Sequence, residues 1–287
     1  MKTIVRQSQT AVLKKLSDLF IEMTAKNCNQ KCKKCYINFP QFKKCEDFID
    51  IETVKIALND TQKESLQCIY LTGAEPMTHP DFNSILRLCL KRTNVCICTN
   101  GSFINEKKAR FLKKVESESP NEIIFNLSLV HYDEVKNDDI RYRGAYRHTI
   151  FAVKHLIKYN FSPIITVANY YNINPRELES NIKNIFEHID YQTDKSHLKI
   201  IPWYDYENQR ETEVIGQDKS LKKDCEYGRV LTSKGVYGCM FLSDDYRGRC
   251  GNNFNNYTDK ISLEAGCCNT CLQYGNKVFG IDFESFK

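Results

Sequence analysis

The chain lacks the features of a secreted or membrane-spanning protein. None of its apolar runs approaches the roughly 20 residues that a bilayer-spanning helix needs. Near the N-terminus, Lys14 and Lys15 interrupt the only candidate for a secretory signal. We therefore expect a cytoplasmic, reducing location and no membrane partner.

Blocks of one charge, internal repeats and low-complexity tracts are also missing. The formal net charge of +5 is spread along the 287 residues and is too weak by itself to indicate a nucleic-acid partner. It suits an acidic redox partner or an anionic substrate. Tryptophan is scarce, with Trp203 the single example, whereas a hydrophobic content of 41% is enough for a substantial core.

Cysteine, in contrast, is abundant, with 14 residues. In a reducing compartment such a chain is expected to bind metal or to carry out redox chemistry rather than to form disulfides. Three cysteines share the CxxxCxxC spacing: Cys28, Cys32 and Cys35. A second group lies within residues 225–271: Cys225, Cys239, Cys250, Cys267, Cys268 and Cys271. The others are interpreted as small apolar residues of the core: Cys45, Cys68, Cys89, Cys96 and Cys98.

The CxxxCxxC loop has two chemical interpretations. Three thiolates on a short loop can bind three corners of an iron–sulfur cube and leave the fourth iron open to a small molecule. The same spacing can also form half of a zinc site.

Short apolar strands alternate with helical patterns along most of the chain. The strands are predicted at residues 19–25, 68–71, 95–98, 123–129, 163–167 and 198–201. The helices are predicted at residues 51–61, 82–90, 106–115, 146–159 and 175–188. This alternation predicts an α/β fold in which a parallel sheet curls into a partial, open (β/α)6 TIM-like barrel.

Four segments follow from this pattern. Residues 1–18 are predicted to form a helical lead-in, because Val12, Leu13, Leu16 and Leu19 fall on one helical face. Residues 19–205 form the barrel, and residues 206–224 form a polar linker. Residues 225–287 are predicted to be a small cysteine-rich unit stapled by metal, with a C-terminal tail and a hairpin at 230–238; the iron–sulfur assignment of this domain comes only from the resemblance described below.

Uncommon motifs fall at the carboxyl ends of the predicted strands, where ligands bind in parallel α/β barrels. The first strand leads into the cysteine loop. The next three end in Thr72-Gly73-Ala74-Glu75-Pro76, in Cys98-Thr99-Asn100-Gly101 and in Ser128-Leu129-Val130-His131.

In order and spacing, these motifs resemble those of radical S-adenosylmethionine (SAM) enzymes. CNQKCKKCY is similar to the CxxxCxΦC cluster loop of that superfamily, TGAEP to its GGEP motif, CTNGSFI to its TNG motif and NLSL to its strand-four serine. The stretch from Asp138 to Tyr146, which includes Arg141 and Gly144, resembles the DxxR…GSF segment of the peptide- and sulfatase-modifying members. The resemblance covers about residues 17–205.

The resemblance implies that Cys28, Cys32 and Cys35 bind a 4Fe–4S cluster whose fourth iron chelates the amine and carboxylate of SAM. An electron from the reduced cluster would cleave SAM to methionine and a 5′-deoxyadenosyl radical, which takes hydrogen from the substrate. A flavodoxin or a ferredoxin-type protein would be the electron donor.

The other SAM contacts are implied in the same way. Backbone groups of Gly73 and Ala74, together with Glu75, would hold the methionyl amine. Arg141 would pair with the methionyl carboxylate through its planar guanidinium, with Arg143 as the rival on the same segment. Ser128 and Asn100 would contact the ribose region.

The sequence departs from the family pattern at two of these positions. Lys34 stands where an aromatic residue is usual, so adenine would be held either by backbone atoms of Lys34 or by a rebuilt site that includes Tyr36. Ala74 replaces the second glycine of GGEP, and its methyl group fits if its φ is negative.

The C-terminal cysteines resemble the twitch extension of some radical SAM enzymes, a truncated form of the SPASM domain. That resemblance implies a second, auxiliary 4Fe–4S cluster bound by Cys225, Cys239, Cys268 and Cys271. Cys250 and Cys267 are rivals for a ligand position. A structural zinc site on the same four cysteines is the alternative.

Within the family, the resemblance points to net oxidation of a small molecule assisted by the auxiliary cluster. A peptide-modifying enzyme is the near alternative, although the 27 residues before Cys28 are too few for the winged leader-binding module of most such relatives. The strongly basic extra domain of a tRNA-modifying enzyme is missing. A non-catalytic iron–sulfur or zinc regulator would lack the SAM-holding motifs.

Candidate substrate contacts are the side chains that follow the later strands and should face the barrel mouth. They are His131, Tyr132, Asn169, Trp203 and Asp205.

Overall fold

A computed structural model of the chain describes residues 10–35, 48–193, 197–203, 223–243, 245–263, 266–269, 271 and 278–281. Its strands are β1 (Thr10–Val12), β2 (Asp18–Thr24), β3 (Cys68–Gly73), β4 (Asn94–Thr99), β5 (Ile123–Leu129), β6 (Ile164–Asn169), β7 (Leu198–Pro202), β8 (Gly228–Thr232), β9 (Gly235–Tyr237), β10 (Arg249–Asn253), β11 (Asn256–Tyr257) and β12 (Lys260–Ser262). Its helices are α1 (Ile51–Asp60), α2 (Phe82–Leu90), α3 (Glu106–Ser117), α4 (Glu134–Ile140), α5 (Ala145–Lys158) and α6 (Pro175–Glu187).

Strands β2 to β7 lie side by side in chain order, and every neighbouring pair is parallel. Each connection carries at least one helix, as parallel pairing requires. The α/β fold with a mostly parallel central sheet is therefore confirmed, and the six predicted strands are the six observed here. The five predicted helices also form, with ends that differ by at most two residues.

Local sequence explains where several helices begin. Side chains of Asp50, Asn105, Asp133 and Asn174 each accept a backbone N–H from the first turn of α1, α3, α4 and α6, respectively. Such caps satisfy donors that the helix itself leaves unpaired. Helix α4 was not predicted from the sequence, because EVKNDDI is short, polar and without a clear apolar period.

The two faces of the sheet differ in what covers them. Residues such as Leu19 and Ile21 of β2 point toward the helices and join the main core cluster. The alternate residues point into the barrel, where Phe20 stacks on Tyr70 with ring centroids 4.3 Å apart. This alternation follows from the two-residue period of a strand.

The predicted helical lead-in is wrong over the described part of residues 1–18. Residues Thr10–Val12 form β1, which pairs antiparallel with β12. The following backbone bonds to the C-terminal part of the chain: Leu13 N–H donates to Asp259 O at 2.8 Å and Ser17 N–H to Tyr227 O at 2.9 Å. These long-range bonds replace the local ones that a helix would make, and Val12 is left 44% exposed.

The C-terminal cysteine region continues the barrel sheet. The predicted hairpin at 230–238 forms from β8 and β9, and β8 also pairs in parallel with β2, aligning Asp18 with Gly228. The sheet order is therefore β11-β10-β9-β8-β2-β3-β4-β5-β6-β7. Most of the predicted linker at 206–224 lies outside the described residues.

Residues 278–281 fill the amino-terminal half of the barrel interior. Ile281 N–H donates to Tyr70 Oη at 2.8 Å, and Lys199 Nζ donates to Gly280 O at 2.9 Å. The Phe279 ring packs against Phe241 with centroids 4.6 Å apart. These contacts place residues 278–281 against the inner face of the sheet, near the amino-terminal ends of β3 and β7. Among the described residues, no helix is long and apolar enough to cross a membrane.

Candidate functional site

The cysteine loop follows β2 directly and lies at the carboxyl end of the sheet. Cys28 and Cys32 are half-buried, and Cys35 is exposed. Two donors approach Cys28 Sγ: the Gln30 N–H at 3.4 Å and Asn100 Nδ2 at 3.7 Å. Donors of this kind suit a sulfur that carries negative charge, as a metal-bound thiolate does.

The thiols of this loop are close enough to change one another's pKa. Burial raises the pKa of Cys28, and Glu75 and Cys32 raise it further. Burial also raises the pKa of Cys32, against which the Arg141 guanidinium acts. Three thiols on one loop, with donors directed at the sulfur, fit an iron–sulfur cluster with one open iron.

Glu75 links the loops that follow β3 and β4. Its carboxylate is fully buried and accepts three hydrogen bonds, from Met77 N–H at 3.2 Å, Thr99 Oγ1 at 2.8 Å and Asn100 N–H at 2.8 Å. Burial raises the pKa of Glu75 to about 7, and the three hydrogen bonds oppose that shift. The structure therefore gives Glu75 a role in fixing the TNG motif.

Gly73 allows the GAEP turn to pass close to the end of β2. Its φ is +113°, and a Cβ built on it would lie 2.3 Å from Thr24 O. Ala74 N–H donates to the same carbonyl at 2.8 Å. Ala74 is outside the set of positive-φ residues, so the condition for its methyl group is met.

Asn100 connects this turn to the cysteine loop. Besides its contact with Cys28, Asn100 Nδ2 donates to Asn29 Oδ1 at 3.0 Å. Asn100 Oδ1 accepts from Ser102 N–H at 2.9 Å, and Ser102 Oγ accepts from Asn29 Nδ2 at 2.7 Å. Sequence reasoning did not identify Asn29 or Ser102, because both occupy positions that the motifs leave variable.

Arg141 is buried between the cysteine loop and the end of β5. Its guanidinium donates to Gln30 Oε1 at 3.2 Å, to Thr149 Oγ1 at 3.2 Å and to the carbonyl of Ser128. Arg143 is exposed. The structure thus places Arg141, and not Arg143, beside the cysteine loop. Gln30 and Thr149 gave no signal in the sequence.

The segment around Asp138 holds Arg141 in place. Asp138 accepts hydrogen bonds from Gly144 N–H at 2.6 Å and from Tyr146 N–H at 2.9 Å, which fixes the turn that starts α5. Lys34 N–H donates to Ile140 O at 3.4 Å, so the cysteine loop also contacts the end of α4. Tyr36 lies outside the described residues, and the side chain of Ser128 is half-buried.

Five aromatic side chains form a continuous row after β5, β6 and β7, here called the aromatic row: Tyr132, His131, Tyr171, Tyr170 and Trp203. Neighbouring ring centroids are 4.2 to 5.2 Å apart. The row brings together three of the five predicted substrate contacts. Tyr170 and Tyr171 were missed, because loop tyrosines carry no periodic signal.

Asn169, another predicted substrate contact, uses its amide to close a loop. It donates to Ile173 O at 2.7 Å and accepts Ile173 N–H at 2.9 Å. Asp205 lies outside the described residues. His131 is buried, its Nδ1 accepts Asp133 N–H at 2.8 Å, and burial lowers its pKa, which favours the neutral imidazole.

The C-terminal cysteines fall into two sets. Burial raises the pKa of Cys239 well above its ordinary value, and Cys268 and Cys225 raise it further. Burial also raises the pKa of Cys271, and Asp224, Cys239 and Cys225 raise it further. The four cysteines of the implied auxiliary site therefore lie near one another, and Cys267 belongs to the same group because Cys268, Cys239 and Cys271 raise its pKa.

The two rival cysteines occupy different positions. Cys267 lies beside Cys268, with which it shares a hydrogen bond. Cys250 stands apart, and its thiol donates to Gly248 O at 3.6 Å. In the described part of the chain, no three His, Cys, Asp or Glu side chains are drawn together around a point that could hold one metal ion.

The cysteines outside both groups fit their predicted role where they are described. Cys68, Cys89 and Cys96 are buried, whereas Cys98 is half-buried with its Sγ 4.0 Å from that of Cys96. Cys45 lies outside the described residues. The described cysteines are all free thiols.

Comparison with known proteins places this site in context. The family model for the radical SAM superfamily matches residues 24–189. The fold is similar to that of anSMEcpe with bound AdoMet, at TM-score 0.63 and 17% identity over 84% of this chain and 78% of that one. It is also similar to that of Streptococcus suis SuiB bound to its precursor peptide SuiA, at TM-score 0.63 and 15% identity over 91% of this chain and 72% of that one. No curated protein sequence matches the chain.

Proposed function

Because the chain belongs to the radical SAM superfamily, we propose that Cys28, Cys32 and Cys35 bind a 4Fe–4S cluster and that SAM binds at its open iron. When bound, the cluster supplies the electron that cleaves SAM to methionine and a 5′-deoxyadenosyl radical, which takes a hydrogen atom from the substrate. In this proposal, the chain's own residues hold the reactants in position.

One observation carries this proposal: Asn100 joins all three parts of the site. Its backbone N–H binds Glu75 at the end of β3, and its side chain reaches Cys28 Sγ on the loop after β2. The GAEP, TNG and cysteine motifs thus meet at one edge of the barrel. A bare metal site would need only the cysteines, whereas this arrangement also provides the surface on which SAM can be held.

The residues around the loop supply the SAM contacts in this proposal. Backbone groups of Gly73 and Ala74 face the end of β2 and would bind the methionyl amine, with Glu75 fixing their position. Arg141 would bind the methionyl carboxylate, because a buried guanidinium beside the cysteine loop offers a planar pair of donors. Asn100 and Ser128 would contact the ribose.

Adenine would be held near the end of the cysteine loop. Lys34 offers backbone atoms there, since its N–H already lies against Ile140 O and fixes the loop next to α4. Tyr36 is the aromatic candidate for the same role.

The C-terminal cysteines support a second, auxiliary 4Fe–4S cluster. Cys225, Cys239, Cys268 and Cys271 lie near enough to raise the pKa of others in the group; Cys267 lies among them as the rival ligand, and no described cysteine acts on the pKa of Cys250. Four thiolate ligands leave no open iron, so the cluster would carry electrons and would not bind substrate. On this basis, residues 225–287 act as a twitch-like unit built onto the barrel sheet. A structural zinc ion on the same cysteines is the competing occupant.

The net reaction in this proposal is oxidation of a small molecule. That oxidation removes a hydrogen atom, one electron and one proton from the substrate, and an auxiliary cluster held by the C-terminal cysteines would supply the acceptor for the electron while solvent would take the proton. The aromatic row, with His131 neutral and buried, would form the wall that receives the substrate. A flavodoxin or ferredoxin-type donor suits the exposed lysines of the cysteine loop, Lys31 and Lys33, the latter paired with Asp139.

Peptide modification is the second candidate. The similarity to SuiB, which binds the precursor peptide SuiA, extends over 91% of this chain and supports a peptide as the substrate class. A peptide and a small molecule would both enter between the cysteine loop and the aromatic row.

Production of 5′-deoxyadenosine tests the shared part of the proposal. Anaerobically reconstituted protein should form 5′-deoxyadenosine from SAM in the presence of dithionite, and Cys32→Ala should form none. A reconstituted protein with intact cluster and no 5′-deoxyadenosine would indicate a non-catalytic regulator. Deuterium-labelled candidate substrates, small molecules and peptides alike, would then show which of them transfers its label to the product.

A further inference from the structure

Arg229 is a buried cation with neutral hydrogen-bond partners. Its relative exposure is 0%. Nη1 donates to Cys225 O at 2.7 Å and to Gly228 O at 2.8 Å, and Nη2 donates to Asp259 O at 2.8 Å. Its Nε is buried and has no hydrogen-bond partner among the residues that the structure describes. Three carbonyl oxygens satisfy donors, but they do not neutralise a charge.

The described residues place no carboxylate within ion-pair distance of this cation, although Asp224, Glu226 and Asp259 lie near enough to raise the pKa of Cys225 or Cys250. The ion pairs formed among them involve other arginines and lysines. Removing a guanidinium from water is unfavourable unless a negative charge accompanies it. An unpaired buried arginine is therefore a sign that an anion belongs nearby.

The position of Arg229 in β8 explains why its side chain lies close to Cys225 and Cys250. In β8 it stands opposite Leu19 of β2, and its side chain shares a face with Leu231. Leu231 packs in the core cluster that also contains Cys225 and Cys250. The Arg229 charge lowers the pKa of both thiols against the effect of burial.

The two thiols differ in whether they can place a negative charge near Arg229. Cys250 donates its S–H to Gly248 O at 3.6 Å, as a protonated thiol does. Cys225 lies among Cys239, Cys268 and Cys271, the proposed ligands of the auxiliary cluster. A cluster bound by four thiolates is an anion, and it gains one more negative charge when one electron enters it.

We propose that Arg229 is the counter-ion of the auxiliary cluster and that its charge raises the cluster's reduction potential. This inference rests on the proposed auxiliary cluster. A fixed cation in a buried, low-dielectric position stabilises the reduced, more negative form more than the oxidised form. One electron moves and no bond or proton is transferred. Arg229 thus makes the cluster a better acceptor for an electron from a substrate radical, and it acts as a positioning and tuning residue.

The experiment measures the midpoint potential of the auxiliary cluster alone. In full-length protein with Cys28, Cys32 and Cys35 replaced by alanine, dithionite titration followed by electron paramagnetic resonance reports that cluster. Arg229→Gln should shift the potential to a more negative value. Arg229→Lys keeps the charge while it loses the planar fork, and it should restore most of the shift.

Arg92 provides the matched control. It also donates to three carbonyl oxygens, of Thr61, Gln62 and Glu64, and its buried Nε likewise has no hydrogen-bond partner in the described part of the chain. It lies between α2 and β4, away from the C-terminal cysteines. Arg92→Gln should therefore leave the potential unchanged, although it removes the same number of hydrogen bonds.

The possible results distinguish failure of this inference from failure of the proposed auxiliary cluster. A parent protein that binds no iron would overturn the auxiliary cluster and the inference together. A parent with the cluster, and an Arg229→Gln variant with the same potential, would overturn the inference alone. Loss of the cluster in both Arg229 variants, with Arg92→Gln still loaded, would assign Arg229 a purely structural role. Loss in Arg229→Gln only would support the requirement for charge.

Discussion

The backbone N–H of Asn100 lies 2.8 Å from Glu75 Oε2. Through this bond, a buried carboxylate at the end of β3 sets the direction of the loop that follows β4. The same asparagine then reaches Cys28 Sγ with its side chain. Three motifs that are separate in the sequence are thereby held as one unit.

Removing the Asn100 side chain tests this unit. Asn100→Ala should lower the rate of 5′-deoxyadenosine formation by about 10–100-fold, the usual effect of losing a group that orients a metal ligand. The matched control is Asn181→Ala on α6, whose amide bonds Glu177 within its own helix. Equal rates for Asn100→Ala and the parent protein would show that the contact with Cys28 is dispensable.

Glu75 should make stability depend on pH. Burial raises its pKa from 4.5 to about 7, so folding favours the protonated carboxyl. Its contribution to stability is therefore complete below pH 4.5 and is lost as the pH rises to about 7. The loss should be on the order of 3 kcal/mol relative to Glu75→Gln, which does not titrate. Urea unfolding of metal-free protein from pH 5 to 8 measures it. Parallel curves for the two proteins would contradict the buried carboxyl.

Substitution of Arg141 should weaken SAM binding, whereas the same substitution of Arg143 should not. Arg141→Lys should weaken SAM binding to the reconstituted protein by roughly tenfold or more, about 1.4 kcal/mol, because an ammonium cannot span Gln30, Thr149 and Ser128 at once. Arg143→Lys should leave the dissociation constant unchanged, since Arg143 is exposed. Anaerobic equilibrium dialysis with labelled SAM provides the measurement. A comparable loss in both variants would argue against the special position of Arg141.

Gly73 should tolerate no side chain. Gly73→Ala would place a methyl group 2.3 Å from Thr24 O at a φ of +113°, which should reduce the free energy of unfolding by about 3–5 kcal/mol. Gly144→Ala is the control, because φ there is +86° and the nearest atom is 4.0 Å away. It should cost about 1–2 kcal/mol from backbone strain alone. Similar losses for the two variants would rule out the contact with β2.

Iron content should separate the C-terminal cysteines. Cys271→Ser should lose about four irons per chain relative to the parent, the content of one cube. Cys250→Ser should lose none, because Cys250 lies apart from the other cysteines and bonds Gly248. Iron and zinc analysis of anaerobically purified protein provides the test. One zinc and about four irons in the parent would establish the structural zinc alternative.

The barrel could be predicted from the sequence because its signals are local. Helices such as α2 and α6 carry a clear apolar face, and caps such as Asn105 mark where others begin. The site was approached in the same way, since the cysteine, GAEP and TNG motifs sit where strands end. Their order along the chain was sufficient to predict that they would meet.

Long-range pairing could not be predicted from the sequence. The N-terminal segment has helical periodicity, yet it pairs with Lys260–Ser262, and bonds to residues 226–227 override the local preference. Likewise, no pattern in the sequence of Gly228–Thr232 predicts that this strand pairs with β2. Gln30 and Arg229 were missed because their roles depend on partners that only the fold brings near.

Pairing of β8 with β2 also has a consequence for synthesis of the chain. Strand β2 is made early, but one of its two edges is completed only when residues 228–231 have been translated. Until then, that edge carries unpaired N–H and C=O groups next to an apolar strand, a template for wrong association. Protection of this edge of β2 therefore has to wait until residues 228–231 are available to pair with it.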